Sequence, residues 1–262
     1  MIKPSEIKQY ARKVGLRDTQ IEKDYILTWI LYGISRHERL SKVLAFKGGT
    51  VLKKVYIEDY RYSEDLDFTL LNDALTNEEL FSDFEELFEF VKEEANITLQ
   101  KIEDTEHESG SINFYIRYTG PLGGTKEVKI DITRKEVLEF ELVMKPVFIH
   151  YSDLEEFQIL SYALEEVLIE KMCALMGRTQ PRDLYDLWYL LEYEKIDIRH
   201  NWPEFERKAR SKGHTPTAFK QKVESKSNSF KGRWEGSLAS QIKNLPEFEL
   251  VVRELDRHFR RI

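Results

Sequence analysis

Two acids spaced one residue apart on a strand are the first feature of this chain that could do chemistry. Asp65-Leu66-Asp67-Phe68-Thr69-Leu70 alternates with period two, so Asp65 and Asp67 share one face and Leu66, Phe68 and Leu70 the other. Such a pair lies about 7 Å apart at the backbone, near enough for both carboxylates to reach one or two hard divalent cations. Acids on the exposed face of a half-buried strand can also be simply solvated. A second alternating stretch, Val128-Lys129-Ile130-Asp131-Ile132, puts Asp131 opposite an apolar face. If the two strands are neighbours, three carboxylates converge, and that cluster is costly unless a metal neutralises it.

Three further constellations bear on function. Val43-Leu44-Ala45-Phe46 runs into Lys47-Gly48-Gly49-Thr50, a strand, glycine turn and helix that could face an anion with backbone amides, or be an ordinary turn capped by Thr50. It is not a Walker A loop, since no Lys-Ser or Lys-Thr follows at the required distance. Lys171 falls on an apolar stripe with Leu164, Leu168 and Leu175, so it either snorkels to the surface or meets a buried anion, and Arg178 faces the same way seven residues on. A Met at position 171, which keeps the volume and removes the charge, is therefore expected to hold or raise the melting temperature. Asp183 and Asp186, three apart, share a helix face, where acids of a first turn also favour the helix dipole. The six histidines form no His-x-x-x-His pair, which leaves zinc hydrolysis without support.

The elements that must position these residues can be read from periodicity. Ile21, Tyr25, Trp29 and Tyr32 mark a helix over about 19–36, with charges collected at its ends. A helix is expected from about Thr76 to Ala95, and strands over 97–103, 112–118 and 126–133. From about Gln158 the pattern reads as helical to the end, with Pro181 opening a second helix. The simplest architecture is a mixed sheet with flanking helices over 1–155, followed by a helical domain over 156–262.

Composition sets the outer bounds. The chain has 262 residues, 41% hydrophobic, 33% charged and 12% aromatic, with a formal charge of −7, enough apolar sequence for a sizeable core. No apolar run approaches the ~18 residues of a membrane helix and the first residues carry no secretory pattern, so neither membrane insertion nor export is expected. Cys173 is the single cysteine, which excludes an intramolecular disulfide and a zinc ribbon and points to the cytosol. Residues 205–233 hold nine Lys and Arg against two Glu, a local +7 on a remainder of −14. Phe205, Phe219, Phe230 and Trp234 interleave with or flank those cations, a composition suited either to a nucleic-acid surface or to a solvated helical face.

In order, Lys47-Gly48-Gly49-Thr50, Arg61-Tyr62-Ser63-Glu64-Asp65-Leu66-Asp67, Lys129-Ile130-Asp131-Ile132, Glu170-Lys171 and Arg182-Asp183-Leu184-Tyr185-Asp186 resemble the nucleotidyltransferase toxins of the AbiEii/AbiGii type, members of the DNA polymerase β-like nucleotidyltransferase superfamily. The likeness spans about residues 45–190, with Thr50 where the superfamily often has serine. It implies an α+β fold, a nucleotidyltransferase sheet followed by a helical domain that completes the nucleotide site. It implies transfer of a nucleotide from a nucleoside triphosphate to an acceptor, with loss of pyrophosphate. Two Mg²⁺ would be held by Asp65 and Asp67, with Asp131 holding the ion that activates the acceptor hydroxyl. Gly48, Gly49, Thr50, Ser63, Lys171, Arg178 and Asp183 would serve the nucleotide, with Lys171 and Asp186 counted among the catalytic residues and Asp186 either orienting Lys171 or lining the nucleotide pocket. The acceptor of related toxins can be the 3′ end of tRNA, here expected to lie against Lys220, Lys222, Lys226, Lys231 and Arg233. A cognate antitoxin with a winged-helix DNA-binding domain and a role in phage defence complete the implication. The same carboxylates would also suit a metal-dependent phosphodiesterase, and the scaffold a non-catalytic module that binds RNA or a protein partner.

Overall fold

The computed structural model describes residues 1–262, which divide into two compact units. The first comprises 1–136 with 142–162, the second 137–141 with 163–262. No helix is long and apolar enough to cross a membrane.

The first unit begins with helices α1 (Pro4–Val14) and α2 (Asp18–Arg36). Almost every residue of α2 from Ile21 to Ile34 is buried, Glu22 and Asp24 included, so its charges do not all collect at the ends. A short helix α3 (Leu40–Val43) leads into strand β1 (Leu44–Lys47), the turn of helix α4 (Gly48–Val51) and a π-helical stretch over Leu52–Tyr56. Strand β2 (Asp65–Leu70) follows, then helix α5 (Asn77–Ala95). Thr76 opens α5 by accepting from the Glu79 amide while the Glu79 side chain accepts from the Thr76 amide, and Asn96 at φ 54° closes it. Strands β3 (Thr98–Glu106), β4 (Ile112–Thr119) and β5 (Thr125–Thr133) come next, then the short β6 (Val143–Pro146) and β7 (Gln158–Ser161).

These strands form one mixed sheet in the order β3-β4-β5-β2-β1-β7-β6. The β2–β5 and β1–β7 pairs are parallel and the other four antiparallel. Alternation gives the sheet two unlike faces. Leu66, Phe68, Phe114, Ile116, Ile130 and Ile132 are buried on one side, where Phe84 of α5 meets Phe114 edge-on at 5.0 Å. Helix α2 lies so close to α5 that a Cβ on Gly33 would meet Leu87 Cγ at 2.8 Å. The other face carries Asp65, Asp67, Asn113, Tyr115, Lys129 and Asp131, all half-buried. The sheet also runs on past residue 155, because β7 adds to β1 and the Tyr162 amide donates to the Phe46 carbonyl.

The second unit is helical: α6 (Leu164–Gly177), α7 (Pro181–Glu192), α8 (Trp202–Ser211), α9 (Phe219–Ser225), α10 (Ser227–Leu238) and α11 (Phe248–Phe259). Its core includes the rings of the basic segment. Phe205, Phe219, Phe230 and Trp234 are all buried, and the Trp234 indole donates to the Pro246 carbonyl. Lys208 is also buried, bonded to Glu166 at 2.5 Å and to the Val137 carbonyl at 2.8 Å. Glu166 in turn accepts from the Glu139 and Phe140 amides, which ties the segment 137–141 to this unit.

Candidate active site

The polar face of the sheet gathers the motifs of the first unit. Asp65 stands in register with Lys129 and Asp67 with Asp131 on the parallel neighbour β5, so the two acidic strands predicted from alternation are adjacent. Lys47, the last residue of β1, pairs with Asp67 from the other side. Its ammonium donates to the Thr133 hydroxyl at 3.0 Å and lies 3.9 Å from Glu136.

Gly48 explains itself here. Its φ of +78° is a conformation L side chains rarely adopt, and an added Cβ would come within 2.8 Å of Asp67 Cγ. The turn thus wraps the carboxylate of Asp67 as closely as a backbone can. Thr50 is buried and its hydroxyl donates to the Asp65 carbonyl at 2.6 Å, so it clamps the turn to the acidic strand instead of presenting a free donor to a phosphate. Ser63, also buried, precedes β2, where its carbonyl accepts from Gln20.

Asp131 is not idle. Its carboxylate accepts from Lys129 at 2.7 Å. Burial works against the lysine's charge, but the bond to Asp131 and that group's negative charge outweigh it and raise Lys129 above its ordinary value. No three His, Cys, Asp or Glu side chains stand together as a ready cage for an ion. The donor set nonetheless suits a hard cation: three carboxylates on one face of two adjacent strands offer only oxygen ligands, from a surface water can reach. Sequence reasoning passes over Lys129 as a site residue, although its spacing of two from Asp131 is the same signal that singles out Asp65 and Asp67.

In the second unit Lys171 does not snorkel. Its ammonium lies 3.0 Å from Asp183 and 2.8 Å from Asp186, with all three residues buried. Arg178 adds hydrogen bonds to Asp183 at 2.7 and 3.1 Å. Burial alone would push Asp183 up, but Lys171 and Arg178 together outweigh it and hold the carboxyl below its ordinary value. A Met at 171 would take the buried ammonium away from both carboxylates and leave Asp183 only its bonds from Arg178, so the expectation of an unchanged or higher melting temperature does not survive this geometry.

The basic segment is likewise less free than its composition suggests. Lys226 donates to the Leu175, Met176 and Arg178 carbonyls, satisfying the end of α6. Lys231 pairs with Glu249 and Lys220 lies 3.8 Å from Glu224. Lys222 is half-buried and Arg233 exposed. With its rings in the core, this segment offers cations and no stacking platform.

Residues 29–259 match the sequence model of a family described as the nucleotidyltransferase AbiEii toxin of type IV toxin–antitoxin systems. Among solved structures, the chain is similar to MenT4, a nucleotidyltransferase toxin from Mycobacterium tuberculosis H37Rv. The TM-score is 0.56 at 14% identity, covering 91% of this chain and 100% of that one, a likeness of fold. No curated protein sequence matches.

Proposed function

We propose that this chain, which belongs to the AbiEii nucleotidyltransferase toxin family and is a toxin nucleotidyltransferase, uses the polar face of its sheet to move a nucleoside monophosphate from a nucleoside triphosphate to the 3′ end of an RNA, tRNA in the first instance. The observation that carries the reading is the register of Asp65 and Asp67 against Lys129 and Asp131, with the Gly48 turn packed on Asp67. In the reaction the acceptor hydroxyl oxygen bonds to the α-phosphorus, the bond from that phosphorus to the pyrophosphate oxygen breaks, and the hydroxyl proton leaves to solvent or a carboxylate. Asp65, Asp67 and Asp131 would hold Mg²⁺, which when bound neutralises charge on the phosphates and lowers the pKa of the attacking hydroxyl. The backbone at Gly48 and Gly49 would bring amides to outer phosphate oxygens. Membership of a type IV system implies an antitoxin partner, which we take to carry a winged-helix DNA-binding domain. The cytosol and a part in phage defence belong to the same reading. Lys171, Asp183 and Asp186 enter it through the family motif, as the charge that would steady the triphosphate or pyrophosphate.

The test is incubation of the protein with Mg²⁺, total RNA and each α-labelled nucleoside triphosphate in turn. Label should appear on RNA, with one pyrophosphate released per nucleotide added. Nucleotides cut from RNA without added triphosphate would establish the phosphodiesterase reading instead. RNA retained on the protein with no label transferred from any of the four triphosphates would leave only a binding module.

A further inference from the structure

The half-buried face of β2 and β5 carries a square of four charged side chains. Asp65 and Lys129 form one row of the register, Asp67 and Asp131 the next, and the strand pleat turns all four to the same side. Parallel neighbours stand about 4.8 Å apart, so three like charges at this spacing repel unless a positive charge joins them. The fourth corner supplies one. Lys129 spans its own strand to reach Asp131 at 2.7 Å and stands in register beside Asp65. Asn113 and Tyr115 of β4 border the square as register partners of Asp131 and Lys129.

Resting on the reading of the carboxylates as metal ligands, we propose that Lys129 is a tethered occupant of the cation site: its ammonium holds Asp131 until a divalent ion competes it away, so that ion entry and release of Lys129 are one event. The tether gives the ammonium a high effective concentration at Asp131. A bare ion therefore binds more weakly than three carboxylates would otherwise allow. The released ammonium stays leashed to the same face, where it is available to the phosphate oxygens of an incoming triphosphate. An ion accompanied by its nucleotide thus meets less competition than an ion alone, and the site resists filling before substrate is present.

The experiment is direct Mn²⁺ binding to the full chain without nucleotide, followed by the loss of the free-ion electron paramagnetic resonance signal at 0.15 M salt. Lys129→Gln should bind Mn²⁺ at least fivefold more tightly than the wild type, with Lys129→Arg within twofold of it. Adding a non-hydrolysable triphosphate analogue should tighten Mn²⁺ binding markedly in the wild type and much less in Lys129→Gln. Lys129→Thr, a strand former like the nearby Thr133, serves if the glutamine variant folds poorly. Arg117→Gln removes a charge from the same face of β4, about a Debye length or more away along the sheet. An equal gain from Arg117→Gln would mean general electrostatics and overturn the proposal, as would unchanged Mn²⁺ affinity in Lys129→Gln. Asp67→Asn separates the two levels. If it loses Mn²⁺ while Lys129→Gln gains none, the tethered-lysine inference alone fails; if Asp67→Asn binds Mn²⁺ like the wild type, the metal reading fails with it.

Discussion

Both units bring lysines and aspartates together at nearly the same distances, and the two arrangements have opposite physical meaning. On the sheet, Lys129 and Asp131 meet at 2.7 Å with about a third of each side chain exposed, 30% and 32%. In the helical unit, Lys171 meets Asp186 at 2.8 Å with side-chain exposures of 9% and 0%. An ion pair that water can reach contributes about 0–1 kcal/mol and exchanges partners readily. A buried one costs about 3–5 kcal/mol to break from one side, because the survivor is a charge left in a low dielectric. The sheet's charges can therefore change partners during a reaction without moving the fold, whereas those of α6 and α7 hold the fold in place whatever else they do. A buried lysine is in fact common here: Lys54 sits on Asp24 at 2.7 Å and Lys208 on Glu166, with no substrate required to explain either.

The largest effect should come from the exchangeable side of this contrast. Asp67→Asn or Asp65→Asn is expected to lower transfer by about a thousandfold or more, the scale of losing a group that stabilises developing charge. Stability should move by no more than about 0.5 kcal/mol, or rise, because the change relieves repulsion and opens no cavity. Rate with saturating Mg²⁺ and a urea melt decide it. Full turnover would remove these acids from the reaction, and a large loss of stability would show that the sheet's charges are structural after all.

The legibility of the chain follows the same division. Asp65, Asp67 and Asp131 can be found because period-two alternation exposes the polar face of a strand whatever lies around it, and β2, α2, α5 and β3 to β5 are readable for similar reasons. Gln158–Ser161 reads as the start of a helix and is a strand. Four residues are too few for any period to show, and only the β1 backbone beside them makes them one. Phe205, Phe219, Phe230 and Trp234 mislead for a different cause. Cations between rings describe a nucleic-acid surface and an amphipathic helix equally well, and composition cannot tell which way a ring points. Lys171 stands out as anomalous on its stripe, but its partners Asp183 and Asp186 lie on the next helix, where sequence gives no distance.

The next effect concerns the buried side. Lys171→Met should cost about 3–5 kcal/mol of unfolding free energy, since Asp183 and Asp186 stay behind. Lys208→Met, which removes a buried ammonium from Glu166 and Glu170, is the internal control and should lose a comparable amount. Nucleotide affinity measured on the folded fraction then separates them, for only Lys171→Met should weaken it if that lysine serves phosphate. Acid titration sharpens the point. Asp183 has a depressed value in the folded state, so its contribution is present above its ordinary value near 3.8 and disappears as pH falls through the depressed one. In Lys171→Met that depression shrinks, and the acid limb of the stability curve should be shallower. A melting temperature unchanged by Lys171→Met would contradict the buried network, and equal nucleotide affinity in both variants would leave Lys171 a purely structural residue.

The smallest effect is expected where the sequence looks most suggestive. Of the cations proposed for the acceptor, Lys226 closes the end of α6, and Lys231 and Lys220 have acidic neighbours, which leaves Lys222 and Arg233 as the ones to reverse without disturbing a cap or a pair. Converting both to Glu should leave stability within about 0.5 kcal/mol, as for other surface changes. If RNA lies along this segment, its apparent KM should rise several-fold and the slope of log affinity against log salt should flatten by about 0.7 for each single-strand phosphate that is no longer neutralised. The buried rings limit the effect, because with no base stacked on the segment its hold on RNA is electrostatic and screened within about 8 Å at physiological salt. The KM for the triphosphate should not move, since the proposed nucleotide residues of the sheet unit, Gly48, Gly49, Asp65 and Asp67, are untouched. An unaltered salt slope for RNA would turn the whole +7 segment into a solvated helical face, with the acceptor to be sought elsewhere, first along the open polar face of β4 where Asn113 and Tyr115 flank the carboxylates.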